Sequence, residues 1–147
     1  MNIFIGADHG GYNLKESLVD YMSKQEIKFE DLGTFSEESI DYPDIAVKVA
    51  EAVLSVKDSL GVLLCGTGIG VSITANKIRG IRAALCHNEY TAEMARMHNN
   101  ANILCLGGRV LDEETAIDIL NTFIGTEFEG GRHERRVCKI MDLEKNK

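Results

Sequence analysis

The sequence predicts a three-layer α/β/α sandwich: a five-stranded parallel, Rossmann-like sheet closed by a C-terminal helix. Three observations lead there. Short apolar runs alternate with longer stretches of helical period, the signature of βαβ units. Four of those runs end in polar or glycine-rich clusters, as the carboxyl ends of parallel strands do around a ligand. At 147 residues, with 44% hydrophobic content, the chain can build one ordinary core, so residues 1–147 are read as a single domain.

In order, Ile3 to Ala7 is the first strand, and Leu14, Leu18 and Met22 then recur every four residues as one apolar helical stripe. Lys28 to Leu32 is the second strand. Pro43, the only proline, suits the first turn of a helix, where its missing N–H costs nothing; Ile45, Val49 and Val53 form that helix's stripe. Val62 to Cys65 is the third strand. The uncharged stretch Ser59 to Asn76 approaches the length of a membrane span. Its glycines, with Ser72, Thr74 and Asn76, instead read as strand, loop and a helix starting near Val71. Arg82 to Cys86 is the fourth strand, a helix follows from about Asn88 to Met97, and Ile103 to Leu106 is the fifth strand. Ile117, Leu120 and Ile124 mark another helix, and a last one is expected from about Arg132 to Glu144, with Glu144 to Lys147 as a solvated tail. No repeat, low-complexity tract or linker interrupts the chain.

The net charge of -7 and the pI near 5.1 argue against nucleic acid or an anionic membrane as the main partner. An anionic ligand must therefore meet a local basic cluster. Cys65, Cys86, Cys105 and Cys138 form no C-x-x-C pair, which excludes the usual zinc and thioredoxin-like spacings. The start, MNIFIGADHG, has no basic region ahead of its apolar run; the expectation is a cytoplasmic protein with free thiols.

The strand ends concentrate the chemistry. Asp8-His9-Gly10-Gly11 follows the first, Cys65 and GTGIG the third, His87-Asn88 the fourth, and Gly107-Gly108-Arg109 the fifth. Glycine loops often serve only to turn the chain, and strand-end cysteines are usually small buried hydrophobes, the reading kept for Cys86 and Cys105. His87 is left undecided, with exposure as the bland alternative. The amides of GTGIG and the helix end after it can receive an anion or oxyanion. The spacing is G-x-G-x-G after the third strand, a poor match to the dinucleotide fingerprint. In GGRHERRVCK, Arg132, Arg136 and Lys139 share one helical face, a candidate phosphate or carboxylate site, with pairing to Glu134 or Asp142 as the bland alternative.

Taken together, DHGGYNLK at 8–15, DYPD at 41–44, CGTGIGVSITANK at 65–77, GIRAA at 80–84, HNNANIL at 98–104, GGRV at 107–110 and EGGRHERRV at 129–137 resemble the family of ribose-5-phosphate isomerase B and galactose-6-phosphate isomerase subunits. The resemblance runs in order along nearly the whole chain. It implies a metal-free, cofactor-free isomerase that interconverts ribose 5-phosphate and ribulose 5-phosphate through a cis-enediolate. It further implies that Cys65 is the base moving a proton between C2 and C1, and that His98 is the acid opening the furanose ring. Asp8 and His9 would bind substrate, the backbone of Gly66, Thr67, Gly68, Ile69 and Gly70 would cradle the enediolate, and Asn99, Arg109, Arg132 and Arg136 would make the remaining contacts. Some members use a glutamate a few positions beyond the cysteine; Gly70-Val71-Ser72 offers none, so the chain resembles the cysteine type. Where the family pattern reads H-N-D, this chain has His98-Asn99-Asn100.

The chemistry needs a base beside an acidic C–H and donors for the developing oxyanion. Glycines let amides approach without intervening side chains, while the helix end favours thiolate. Ten helical residues rise about 15 Å, so His98 is expected at the sheet edge opposite Cys65, and a two-fold dimer would let each subunit lend His98 and Asn99 to its neighbour. The expected assembly is thus a homodimer with shared sites, or a tetramer. A six-carbon sugar phosphate such as galactose 6-phosphate or allose 6-phosphate is the alternative substrate. A nucleotide-binding regulatory module and a thiol-sensing oligomer are the alternatives of other classes. The roles of His87 and His133, and the subunit that supplies Arg109, are left open.

Overall fold

The computed structural model describes residues 1–146. Five strands, β1 (Ile3–Ala7), β2 (Phe29–Asp31), β3 (Leu60–Cys65), β4 (Ala83–Leu85) and β5 (Ile103–Gly107), form one parallel sheet in the order β2-β1-β3-β5-β4. The helices are α1 (Tyr12–Lys24), α2 (Tyr42–Ser55), α3 (Ile69–Ala75), α4 (Glu89–Asn99), α5 (Glu113–Gly125) and α6 (Arg132–Asp142), with a 3₁₀ turn at Leu143–Asn146.

Alternation along the strands divides the apolar side chains into two cores. Ile3, Ile5, Val62, Leu64, Leu104 and Leu106 point to one face, where Leu18 of α1, Ala95 of α4 and Phe123 of α5 cover them. Phe4, Leu63, Cys65, Ile103 and Cys105 point to the other, under Val49 of α2 and Val71 of α3. Strands with both faces covered read as continuous apolar runs, which is why β1, β3 and β5 were visible as such. The two edge strands keep three residues each, shorter than the Lys28 to Leu32 and Arg82 to Cys86 spans expected.

Two details depart from expectation. α3 begins at Ile69 rather than near Val71, because Gly68 is its N-cap in the left-handed region and the chain turns into the helix two residues early. The tail is tied down rather than simply solvated: the Glu144 carboxylate accepts from Gly80 N–H, and Arg79 donates to the Glu144 carbonyl oxygen. Lys147, the last residue of that expected tail, lies outside the described residues. No helix among the described residues is long and apolar enough to cross a membrane.

One charged residue sits inside the first stripe. Lys15 is fully buried; its Nζ donates to Asp31 Oδ2 at 2.6 Å and to Glu16 Oε1 at 2.8 Å. The other Asp31 oxygen accepts from Gly33 N–H, while Ala7 N–H donates to the Gly33 carbonyl and Thr34 N–H to the Ala7 carbonyl. The pair thereby clamps the loop between β2 and α2 beside the carboxyl end of β1.

Candidate active site

In the order β2-β1-β3-β5-β4 the topological switch falls between β1 and β3: the chain leaves β1 for α1 on one face and β3 for α3 on the other. Diverging loops open a crevice beyond the strand ends. Asp8 begins one loop and Cys65 the other. Asp8 is buried, its N–H donates to the Leu64 carbonyl, and its Oδ1 accepts from Gly10 N–H at 2.8 Å and Gly11 N–H at 3.1 Å. Two hydrogen bonds on the carboxylate and one on the backbone thus fix Asp8 at the crevice wall.

Cys65 ends β3 with its side chain on the α2/α3 face, and Gly68 N–H donates to its Sγ at 3.1 Å. Gly68 has φ +79°, the left-handed turn that brings its amide back onto the sulfur, and a Cβ there would stand 2.5 Å from Leu85 Cδ1. A donor held on sulfur binds the thiolate more strongly than the thiol. Gly70 lies inside α3, where a Cβ would meet the Tyr42 ring at 2.7 Å. The aromatic ring therefore closes directly over the helix backbone. An open cleft of about 430 Å³ results, lined by Asp8, Tyr42, Cys65, Thr67, Gly70 and Arg109 among others. Gly108 N–H donates to the Cys65 carbonyl and Arg109 N–H to the Gly66 carbonyl, which sets the guanidinium beside Gly66.

His9 faces an adjoining hollow of about 610 Å³ that shares Asp8 and Tyr42 with the cleft. Its Nδ1 accepts from Ile40 N–H at 3.2 Å. The neutral ring then carries its proton on Nε2, which makes it a donor.

The structure places the remaining candidates elsewhere. His98 and Asn99 end α4, and the chain turns through Asn100 in the left-handed region into the start of β5. Gly61 faces Ile103 there and Cys65 faces Gly107 at the other end, a separation of about 13 Å along four strand residues. Arg82, its pKa lowered by burial against the opposing pull of Glu144, donates to the Asn99 and Asn100 carbonyls and holds this turn. Arg132 and Arg136 lie exposed one turn apart on α6, which packs on α4. Asp142 pairs with Lys145 instead of the arginines.

One element at this second cluster was not anticipated. His98 stacks on His133 with ring centroids 4.0 Å apart and planes 10° from parallel, and Glu129 Oε2 lies 4.0 Å and 3.7 Å from their respective Nε2 atoms. The three donor atoms lie within 4.8 Å of one another. A metal ion bound in the plane of one imidazole cannot lie in the plane of a parallel one, so the arrangement is a stack rather than a ready chelate.

Of the other candidates, His87 is exposed. Cys86 and Cys105 are buried hydrophobes, as expected: burial pushes the Cys86 thiol up to about 11, the Thr91 hydroxyl opposing, and raises Cys105 well above the ordinary range. Tyr42, the Ile40 amide, Glu129 and His133 received no role from sequence. Tyr42 lay within the DYPD segment and His133 between two arginine candidates, but only the fold shows what each touches.

Residues 3–140 match the family model for ribose/galactose isomerases. The chain is 42% identical over 145 residues to Escherichia coli ribose-5-phosphate isomerase B, covering 99% of this chain and 97% of the relative. It superposes on Clostridium thermocellum ribose-5-phosphate isomerase B with a TM-score of 0.96 at 54% identity, covering 99% of each chain. For the Mycoplasma genitalium enzyme with bound ribulose 5-phosphate the TM-score is 0.94 at 44% identity, covering 99% and 97%. With the same architecture and a family match along almost its full length, the chain belongs to the ribose/galactose isomerase family.

Proposed function

We propose that this chain interconverts ribose 5-phosphate and ribulose 5-phosphate. The observation that carries the reading is Cys65 Sγ, held by the Gly68 amide at the wall of a cleft shared with Asp8 and Arg109. The name of the Escherichia coli relative and the ribulose 5-phosphate bound to the Mycoplasma genitalium relative support the same substrate class.

In the open-chain aldose, C1 carries the carbonyl and C2 the acidic hydrogen. Cys65 thiolate removes the C2 proton, and the electron pair moves through C1=C2 onto O1. Gly68 N–H is on Sγ and Ile69 N–H on Thr67 Oγ1, so the other cradle amides, those of Gly66, Thr67 and Gly70, are the donors for that oxygen. A proton passes from O2 to O1, the thiol returns its proton to C1, and the C2 carbonyl of the ketose forms. The sum is an isomerisation with no external oxidant or reductant. Asp8 and the Nε2–H of His9 bind sugar oxygens, and Arg109 binds at the rim.

The His98 cluster lies at the far edge of its own sheet, so this reading takes the protein as a two-fold homodimer in which one subunit's Cys65 cleft receives the other's His98, Asn99, Arg132 and Arg136. His98 then protonates the ring oxygen when the furanose opens, and the arginines bind phosphate. Steady-state isomerisation of ribose 5-phosphate, beside galactose 6-phosphate and allose 6-phosphate, tests the substrate. The pentose phosphate is expected to have the highest kcat/KM, and a six-carbon substrate ranking first would overturn the assignment.

A further inference from the structure

Buried histidines normally find partners for their ring nitrogens. His133 is 5% exposed, and its Nε2 has no hydrogen-bond partner among the described residues. Glu129 Oε2, at 3.7 Å, is beyond hydrogen-bond range, and one face of the ring is covered by His98. We infer that His133 is the positioning residue for His98: a buried, neutral floor that holds the second imidazole flat and leaves the charge of the pair on His98. The inference rests on the proposed role of His98 as the ring-opening acid.

Two facts decide which ring carries the proton. Parallel imidazoles 4.0 Å apart resist double protonation, because two like charges would then face each other. The side chain of His98 is 37% exposed and that of His133 6%, so water can solvate charge only on the former. The groups facing His133 agree. Its pKa is lowered, first by burial, then by His98 from α4 and by Arg132 and Arg136 of its own helix; Glu129, from the segment before α6, pulls the other way. A single carboxylate between the two Nε2 atoms can favour one charge, and that charge goes to the exposed ring. His98 is thereby kept both oriented and able to give a proton.

The test combines histidine side-chain NMR with kinetics across pH on the intact protein. In the wild type, the His98 ring signals should shift with pH while those of His133 stay at neutral-ring values until His98 has finished titrating. His133→Ala, which removes the floor, should lower kcat about tenfold to a hundredfold, the cost of a misplaced catalytic group, with KM changed less than about twofold. His133→Phe, which keeps a flat neutral ring, should restore kcat to within about threefold of wild type with the same acid limb of the pH profile. Titration of His133 together with or before His98, wild-type kcat in the alanine variant, or no recovery with phenylalanine would each overturn the inference. A His98→Ala variant separates the two readings: if it retains wild-type turnover, the ring-opening role fails, while the order of titration in the NMR arm still decides the stack.

Discussion

The chain carries two polar centres at opposite edges of one sheet, and they are built by different means. The Cys65 centre is made of backbone: two loops diverge from a switch point, glycine amides converge, and the few side chains are fixed by short local bonds such as Gly68 N–H to Sγ. The His98 centre is made of side chains brought from distant segments, a stacked pair of imidazoles, a carboxylate and two exposed arginines. The first holds one guanidinium, that of Arg109, beside its glycine amides; the second holds two exposed arginines on a helix face. In the proposed dimer, each would supply what the other lacks.

This contrast can be broken by substitutions at either end. The largest effect is expected from Cys65→Ala, which should cost about a thousandfold in kcat, the scale of a lost general base, while substrate binding measured by calorimetry stays within about threefold. Wild-type turnover would remove Cys65 from the chemistry. Arg132→Ala and Arg136→Ala should each raise KM about tenfold to a hundredfold, as loss of a charged hydrogen bond does, with a smaller fall in kcat. Unchanged kinetics in both would mean that the basic face of α6 is only solvated surface.

Stability measurements sharpen the same comparison. Gly68→Ala forces φ +79° on a residue with a Cβ and drives that carbon against Leu85, so denaturant unfolding should show a loss of about 2 kcal/mol or more. The smallest effect belongs to the other centre. Because the folded pKa of His133 is lowered, the unfolded chain binds more protons on acidification, and the His133 contribution, complete above the usual value of 6.5, is lost as pH falls from there through the lower folded value. His133→Phe should therefore lose less Tm than wild type between pH 7.5 and 5.5; equal losses would mean that His133 does not titrate differently on folding.

The backbone centre was also the more legible in sequence. Apolar runs and the glycine cluster after Cys65 are local signals, so β1, β3, β5 and the GTGIG loop could be read directly. Periodicity tells which face a residue takes, not which element lies against it. That is why the insertion of β5 between β3 and β4, the Tyr42 ring over Gly70 and the Ile40 amide on His9 were not visible. Lys15 was hidden for a related reason: beside Leu14 it reads as an ordinary polar position, and the distant partner that helps make its burial tolerable, Asp31, lies sixteen residues away. His98 was assigned through resemblance, and its distance from Cys65 followed from helix length. His133 and Glu129 lay inside the EGGRHERRV segment, but their contact with His98 of α4 is one that no local pattern announces.

The central claim is that the two centres of one chain serve different active sites, and subunit mixing tests it most directly. Cys65→Ala and His98→Ala, each expected to be inactive alone, are dissociated, combined in equal amounts and reassembled, with exchange verified by a mass tag. Under two-fold symmetry a mixed dimer holds one site with both lesions and one with none, so random pairing should return roughly a quarter of wild-type activity. If exchange is complete and activity stays at the level of the separate variants, His98 acts within its own chain and the shared site is wrong.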